Sequence, residues 1–231
     1  MKKIPTMFER VFEGHRVKEV KNQLTSPGAL YALLHGIPTV KMDGSCCAVI
    51  DGVFYRRYDA KKGKKAPEGA IPCCEADPVT GHHPHWVKVE FDNPDDKWFT
   101  EAYRNYPEKW IRDATYEAVG PHFNGNPYHL EKDVLIQHGA QPAWDVHRSF
   151  DGIRYYLEKN PVEGLVFWVD GEPFCKIKRS DFGLPWPPRK GEWSADAAVI
   201  YVLADPLGHS KKIAKLMGID PKIVEDINGS E

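Results

Sequence analysis

The sequence predicts an α+β domain built on antiparallel strands and followed by a short helical tail. Three observations carry this. Residues 39–58 read as β-structure cut by Asp43-Gly44 and Asp51-Gly52, and the second Asp-Gly sits between two apolar runs as a hairpin turn does. Short apolar runs of strand length recur further on, at 114–119, 134–137, 164–169 and 173–178. After Pro185-Trp186-Pro187-Pro188 the character turns helical.

Taken in order, residues up to Ile37 read as mixed structure, with a helix over 28–34 after the Ser26-Pro27 start signal. Residues 59–84 are rich in Gly, Pro and Lys and read as a long surface loop. Residues 86–91 alternate apolar and polar like a half-buried strand, and 98–104 suit a short helix. A helix is expected over 148–159, stopped by Asn160-Pro161. Two short helices near 210–217 and 221–227 complete the tail. The expected organisation is a domain over 1–190 and a helical extension over 191–231.

Composition is that of an ordinary globular protein: 231 residues, 42% hydrophobic, 28% charged, net charge −2. No apolar run has the length of a membrane span, and the amino end lacks a signal peptide's apolar core, so an intracellular, cytoplasmic protein is expected. The near-neutral charge excludes a protein coated in positive charge, yet Arg56, Arg57, Lys61, Lys62, Lys64 and Lys65 form a basic cluster. The cysteines are Cys46, Cys47, Cys73, Cys74 and Cys175, an odd set with two adjacent pairs. That pattern argues against a disulfide framework. Zinc sites usually separate paired cysteines by about two to four residues, whereas adjacent ones in a strand point to opposite faces. Reduced thiols are the expectation, and His82, His83 and His85 read as loop residues.

Three strings carry chemistry: Lys41-Met42-Asp43-Gly44 at the end of an apolar run, Glu163-Gly164-Leu165-Val166, and Lys176-Ile177-Lys178. A lysine ammonium must lose its proton before it can act as a nucleophile, and its ordinary pKa is about 10.4. Lys176 and Lys178 share one face of a strand, where two ammonium groups could depress a neighbouring amine and bind phosphate oxygens. Glu163, before a glycine that permits close approach, suits a divalent ion. A fourth string, Tyr116-Glu117-Ala118-Val119-Gly120-Pro121, puts an acid inside an apolar strand, where it calls for a ligand, ion or basic partner. Each has a plainer alternative: a turn lysine, structural ion pairs, a solvated strand face.

In this order the strings resemble the covalent nucleotidyltransferase superfamily of ATP-dependent DNA and RNA ligases and capping enzymes. Lys41-Met-Asp-Gly-Ser-Cys-Cys, Tyr116-Glu-Ala-Val-Gly-Pro with Asn126-Pro127 after it, and Lys176-Ile-Lys-Arg-Ser-Asp-Phe-Gly-Leu-Pro-Trp-Pro are similar to the small RNA ligases of animals, viruses and phages that join 5′-phosphate and 3′-hydroxyl ends. The resemblance spans residues 37–188. It implies an antiparallel nucleotidyltransferase (ATP-grasp-like ligase adenylation) fold with ATP and Mg2+ or Mn2+ as cofactors and RNA as partner. Lys41 would form the lysyl–AMP, Asp43 and Gly44 would shape its turn, and Glu117 would hold the ribose or an ion-bound water. Glu163 would bind the metal, and Lys176 and Lys178 the α-phosphate. Arg56 or Arg57 would match an arginine near the ribose and RNA 5′-phosphate, a choice that spacing leaves open. Val134-Leu-Ile-Gln-His138 occupies the region where such enzymes carry the adenine-stacking aromatic, so the resemblance gives that role to His138. The stretch after Lys178 is too short for the OB barrel that follows in DNA ligases and capping enzymes. Alternatives are a GTP-using capping-type transferase, a DNA nick-sealing ligase, and a non-catalytic RNA- or metal-binding module.

Overall fold

The computed structural model describes residues 3–187 apart from 15, 107, 109 and 110. In chain order the strands are β1 (Phe8–Glu13), β2 (Arg16–Leu24), β3 (Ile37–Lys41), β4 (Ser45–Ile50), β5 (Val53–Ala60), β6 (Ile71–Pro72), β7 (His83–Lys88), β8 (Ala114–Val119), β9 (Val134–Gln137), β10 (Gly164–Val169) and β11 (Glu172–Lys178). The α-helices are α1 (Pro27–His35), α2 (Lys97–Arg104) and α3 (Phe150–Lys159). Every pairing between strands is antiparallel, so the α+β expectation holds. The helices expected near 210–217 and 221–227, and with them the 191–231 extension, lie outside the described residues. Among the described residues no helix is long and apolar enough to cross a membrane.

The described residues divide into two compact units, one over Lys3 and Asp43–His138 and the other over Ile4–Met42 with residues 139–187. The second unit holds the β1–β2 hairpin and a three-stranded sheet ordered β11-β10-β3. Helix α1 begins where Ser26 accepts the Ala29 amide at 3.1 Å, with proline in the first turn, the start that Ser26-Pro27 signals. Helix α3 is capped alike by Ser149, which accepts the Gly152 amide at 3.0 Å. Its far end is closed by Arg179, whose guanidinium donates to the carbonyls of Leu157 and Asn160. Phe150 stacks edge-on against Phe8 and Phe182, with ring centroids 5.1 and 5.2 Å apart, tying hairpin, helix and the turn after β11 together.

The first unit is a six-stranded sheet ordered β6-β7-β5-β4-β8-β9. Asp51 and Gly52 both have positive φ (51° and 72°), the two-residue hairpin their sequence announces between β4 and β5. One face of this sheet is apolar: Cys47, Val49, Phe54, Tyr116, Ala118 and Leu135 pack with Ala102 of α2. Alternation therefore delivers Cys46, Glu117 and Arg57 to the opposite face.

Candidate active site

In the second unit one row of the sheet gathers the charged residues. Gly164 is the register partner of Lys41 on β3 and of Lys178 on β11, so both lysines flank a position without a side chain. A Cβ at 164 would lie 2.2 Å from the Ile177 carbonyl oxygen, so only glycine lets β10 approach β11 here. Glu163, buried and one residue earlier, receives both ammonium groups: Lys41 on Oε2, and Lys178 on Oε1 at 3.4 Å. Its carbonyl accepts the Arg179 amide at 2.9 Å, which fixes the backbone at the head of β10.

Lys176 belongs to the same face, one row on, opposite Val166. Its amide donates to Pro5 and its carbonyl accepts from Met7, so the amino-terminal segment covers the outer edge of β11. Burial, then the Lys41 and Lys178 charges, pull the Lys176 amine down from 10.5 to about 8. The like-charge depression foreseen for this face thus falls on Lys176, while Lys41 sits in an ion pair with Glu163. Asp181 holds the end of β11 from below, accepting the Lys178 amide at 2.9 Å and Arg10 at 3.3 Å.

In the first unit the residues after Lys41 and Met42 make a clamped turn. Gly44 lies so close to β8 that a Cβ would meet the Ala118 carbonyl oxygen at 2.1 Å. Its amide donates to Glu117 Oε1 at 3.0 Å. Asn124 donates to both Asp43 Oδ1 and the Gly44 carbonyl at 2.8 Å, and Tyr128 Oη accepts the Asp43 amide. The loop that carries Asn124 and Tyr128 thus grips this turn. Asn124 and Asn126, both at positive φ, were the available signal.

Glu117 has its partner: Oε2 meets His138 Nε2 at 2.8 Å, and His138 Nδ1 meets Thr115 Oγ1 at 2.9 Å. Cys46, register partner of Glu117, shares this face, and burial followed by the Glu117 charge push its thiol up to about 12. All five cysteines are free, and Cys46 and Cys47 point to opposite faces as adjacent strand residues must. His83 and His85 belong to β7 rather than to the loop expected there, paired with Ala60 and Tyr58 of β5, and none of His82, His83 and His85 enters a metal-ligating cluster among the described residues.

The two arginines separate cleanly. Arg56 shares a face with Phe54 and the core, and its Nε donates to Asp96 Oδ1 at 2.6 Å. Asp96 is buried and also accepts the Glu90 amide at 3.0 Å, so Arg56 ties the sheet to the start of α2. Arg57 lies on the Cys46–Glu117 face, bonded to Asp59 at 2.8 Å. The structure brings Glu117, His138 and Arg57 to one face and leaves Arg56 on the other.

No protein-family model matches the chain. RNA ligase 1 of Pongo abelii is 26% identical, the match covering 76% of this chain and 76% of that protein. RNA ligase 1 of Danio rerio is 24% identical over 92% of this chain and 91% of its own length, and that of Rattus norvegicus 24% identical over 76% of each. The charged row around Gly164 and the clamped Asp43-Gly44 turn both fall in a chain with this likeness along most of its length. It is a distant homologue of RNA ligase 1, a ligase of the nucleotidyltransferase superfamily.

Proposed function

We propose that this protein is an ATP-dependent RNA ligase that seals 5′-phosphate to 3′-hydroxyl ends through a lysyl–AMP and an adenylylated RNA. The observation that carries the proposal is the row in the second unit: Lys41 and Lys178 either side of Gly164, both on Glu163, with Lys176 one row away. A lone lysine at a strand end has many uses. A lysine on a carboxylate, with two further ammonium groups on its own sheet face, is an amine poised beside a binding place for phosphate.

In this reading Lys41 leaves Glu163, loses its proton, and its Nζ attacks the α-phosphorus of ATP. The bond to the β-phosphate oxygen breaks and pyrophosphate departs. A 5′-phosphate oxygen of RNA then attacks the AMP phosphorus, the phosphorus–nitrogen bond breaks, and Lys41 is regenerated. Finally the 3′-hydroxyl attacks the RNA 5′-phosphorus and AMP leaves. Lys176 and Lys178 bind the phosphate oxygens and offset the negative charge that grows in each transfer. Glu163 is assigned to a divalent cation, which would take the place that Lys41 leaves on its carboxylate, since magnesium takes few carboxylates together with substrate phosphates. Magnesium bound there would add positive charge to the phosphates.

In the first unit Asp43 and Gly44 form the clamped turn that follows the nucleophile, and Glu117 is assigned to the ribose. Arg57, not Arg56, is assigned to the ribose or the RNA 5′-phosphate, because Arg56 is committed to Asp96. His138 holds Glu117 in place and offers a ring on the same face.

Incubation with magnesium and α-labelled ATP, followed by denaturation, tests the first step. Label retained on wild type and absent from Lys41→Ala is expected. No label with ATP or GTP, from protein free of bound AMP, rejects the proposal. Label from GTP alone would make it a capping-type transferase, and sealing of DNA ends in preference to RNA would make it a DNA ligase.

A further inference from the structure

The polar face of the six-stranded sheet holds a second arrangement, which draws on the same Glu117 and His138 that the ligase reading places beside the ribose. Cys46 on β4, Glu117 on β8 and His138 just after β9 each offer one metal-ligating atom, and these three atoms all lie within 4.8 Å of one another. They come from neighbouring strands, so the sheet itself fixes their spacing.

What separates this cluster from a chance meeting is the orientation of its members. Metal-ligating histidines carry a partner on the other ring nitrogen, which sets tautomer and ring plane; His138 Nδ1 has Thr115 Oγ1 at 2.9 Å. Ligating carboxylates are likewise held on their second oxygen, and Glu117 Oε1 accepts the Gly44 amide at 3.0 Å. Both supports turn the remaining atoms, His138 Nε2 and Glu117 Oε2, toward each other at 2.8 Å. A tetrahedral ion in place of the bridging proton needs that gap to open by only about half an ångström.

We propose that Cys46, Glu117 and His138 form a binding site for a borderline-soft divalent cation, zinc above all, with a fourth position left open. The donor set excludes magnesium, which favours oxygen, and selects a thiophilic ion. Glu163 is not among its residues and belongs to the other unit. Binding converts the Cys46 thiol to a thiolate and releases its proton to solvent.

Cobalt(II), a spectroscopic stand-in for zinc, tests this on the full chain under reducing conditions. One equivalent should produce an ultraviolet thiolate-to-cobalt charge-transfer band that zinc then abolishes. Cys46→Ser should lose the band and weaken binding at least about tenfold, His138→Gln should weaken it similarly, and Cys74→Ser should bind like wild type. Independently of any variant, zinc should protect Cys46 of wild type from alkylation, read by peptide mass spectrometry. A band that survives Cys46→Ser, or wild type that shows neither a band at saturating cobalt nor zinc protection of Cys46, overturns the proposal.

Discussion

The two sheets hold their polar residues in opposite ways. In the three-stranded sheet, two ammonium groups share one buried carboxylate, Glu163, with a third on the same face, and the cost of confining them appears as a Lys176 amine lowered to about 8. On the polar face of the six-stranded sheet, Glu117 is matched by one amide and one imidazole, and the imidazole by a hydroxyl. The first arrangement carries surplus positive charge, which a phosphate group would offset. The second is a saturated hydrogen-bond chain that holds groups in place. Surplus charge suits phosphate transfer, and saturation suits recognition of a neutral group such as a sugar.

If the sheets divide labour this way, the largest losses come from the charged row. Lys178→Ala should cut the rate of AMP labelling by about 100-fold or more, the usual cost of removing a donor aimed at developing charge. Its effect on the melting temperature should be small, since Lys178 is partly exposed and its partner Glu163 keeps Lys41. Glu117→Gln keeps the shape of the carboxylate and should cost far less, mainly in KM for ATP. Equal losses from the two substitutions would erase the distinction.

Lys176 sharpens the contrast through pH. With its folded pKa lowered to about 8 from 10.5, its ammonium is present below about 8 and lost above it. A cation serving phosphate therefore predicts that kcat/KM for labelling falls as pH rises through about 8. Lys176→Arg should move that fall out of range. The stability sign is opposite: between about 8 and 10.5 the unfolded chain binds more protons at this site, so the penalty for burying Lys176 is full below 8 and fades as pH rises. Lys176→Met should raise the melting temperature at pH 7 and lose that advantage toward pH 10.5.

The charged row was legible because strand alternation is simple. Lys176 and Lys178 had to share a face, and the apolar runs at 114–119, 134–137 and 164–169 gave β8, β9 and β10 their bounds. The β1–β2 hairpin was not legible, because its strands are largely charged and exposed and bury little beyond Phe8 and Val20. The Arg56–Arg57 choice stayed open for another reason. Val53, Phe54 and Tyr55 are all apolar, so β5 could face the core in either phase until Phe54 is seen to be the buried one. The Cys46–Glu117–His138 cluster depends on the order of strands in the sheet, which no local pattern in the sequence encodes.

The two arginines now make a paired test. Arg56→Ala strips the buried Asp96 of its ion-pair partner and should cost about 2 kcal/mol or more of stability. That is less than a fully buried pair loses, because Arg56 keeps some contact with solvent. Arg57→Ala breaks only an exposed bond to Asp59 and should change stability by about 0.5 kcal/mol or less while slowing RNA sealing. Denaturant melts with sealing assays check both, and a sealing defect in folded Arg56→Ala without one in Arg57→Ala would reverse the assignment.

The smallest expected effect lies at Asn124, where the six-stranded unit grips the turn after Lys41. Its amide group supplies two hydrogen bonds, to Asp43 Oδ1 and to the Gly44 carbonyl, and both partners remain near solvent when it is removed. Asn124→Ala should therefore cost only about 1 kcal/mol in stability. The turn it releases directly follows β3 and Lys41, and in the ligase reading the orientation of that amine is sensitive to small displacements. A several-fold drop in kcat for AMP labelling, with KM for ATP little changed, is the signature of a positioning residue. A rise in KM at constant kcat would instead mark Asn124 as a nucleotide contact, and would move the boundary between holding and transferring from the sheet face out to this loop.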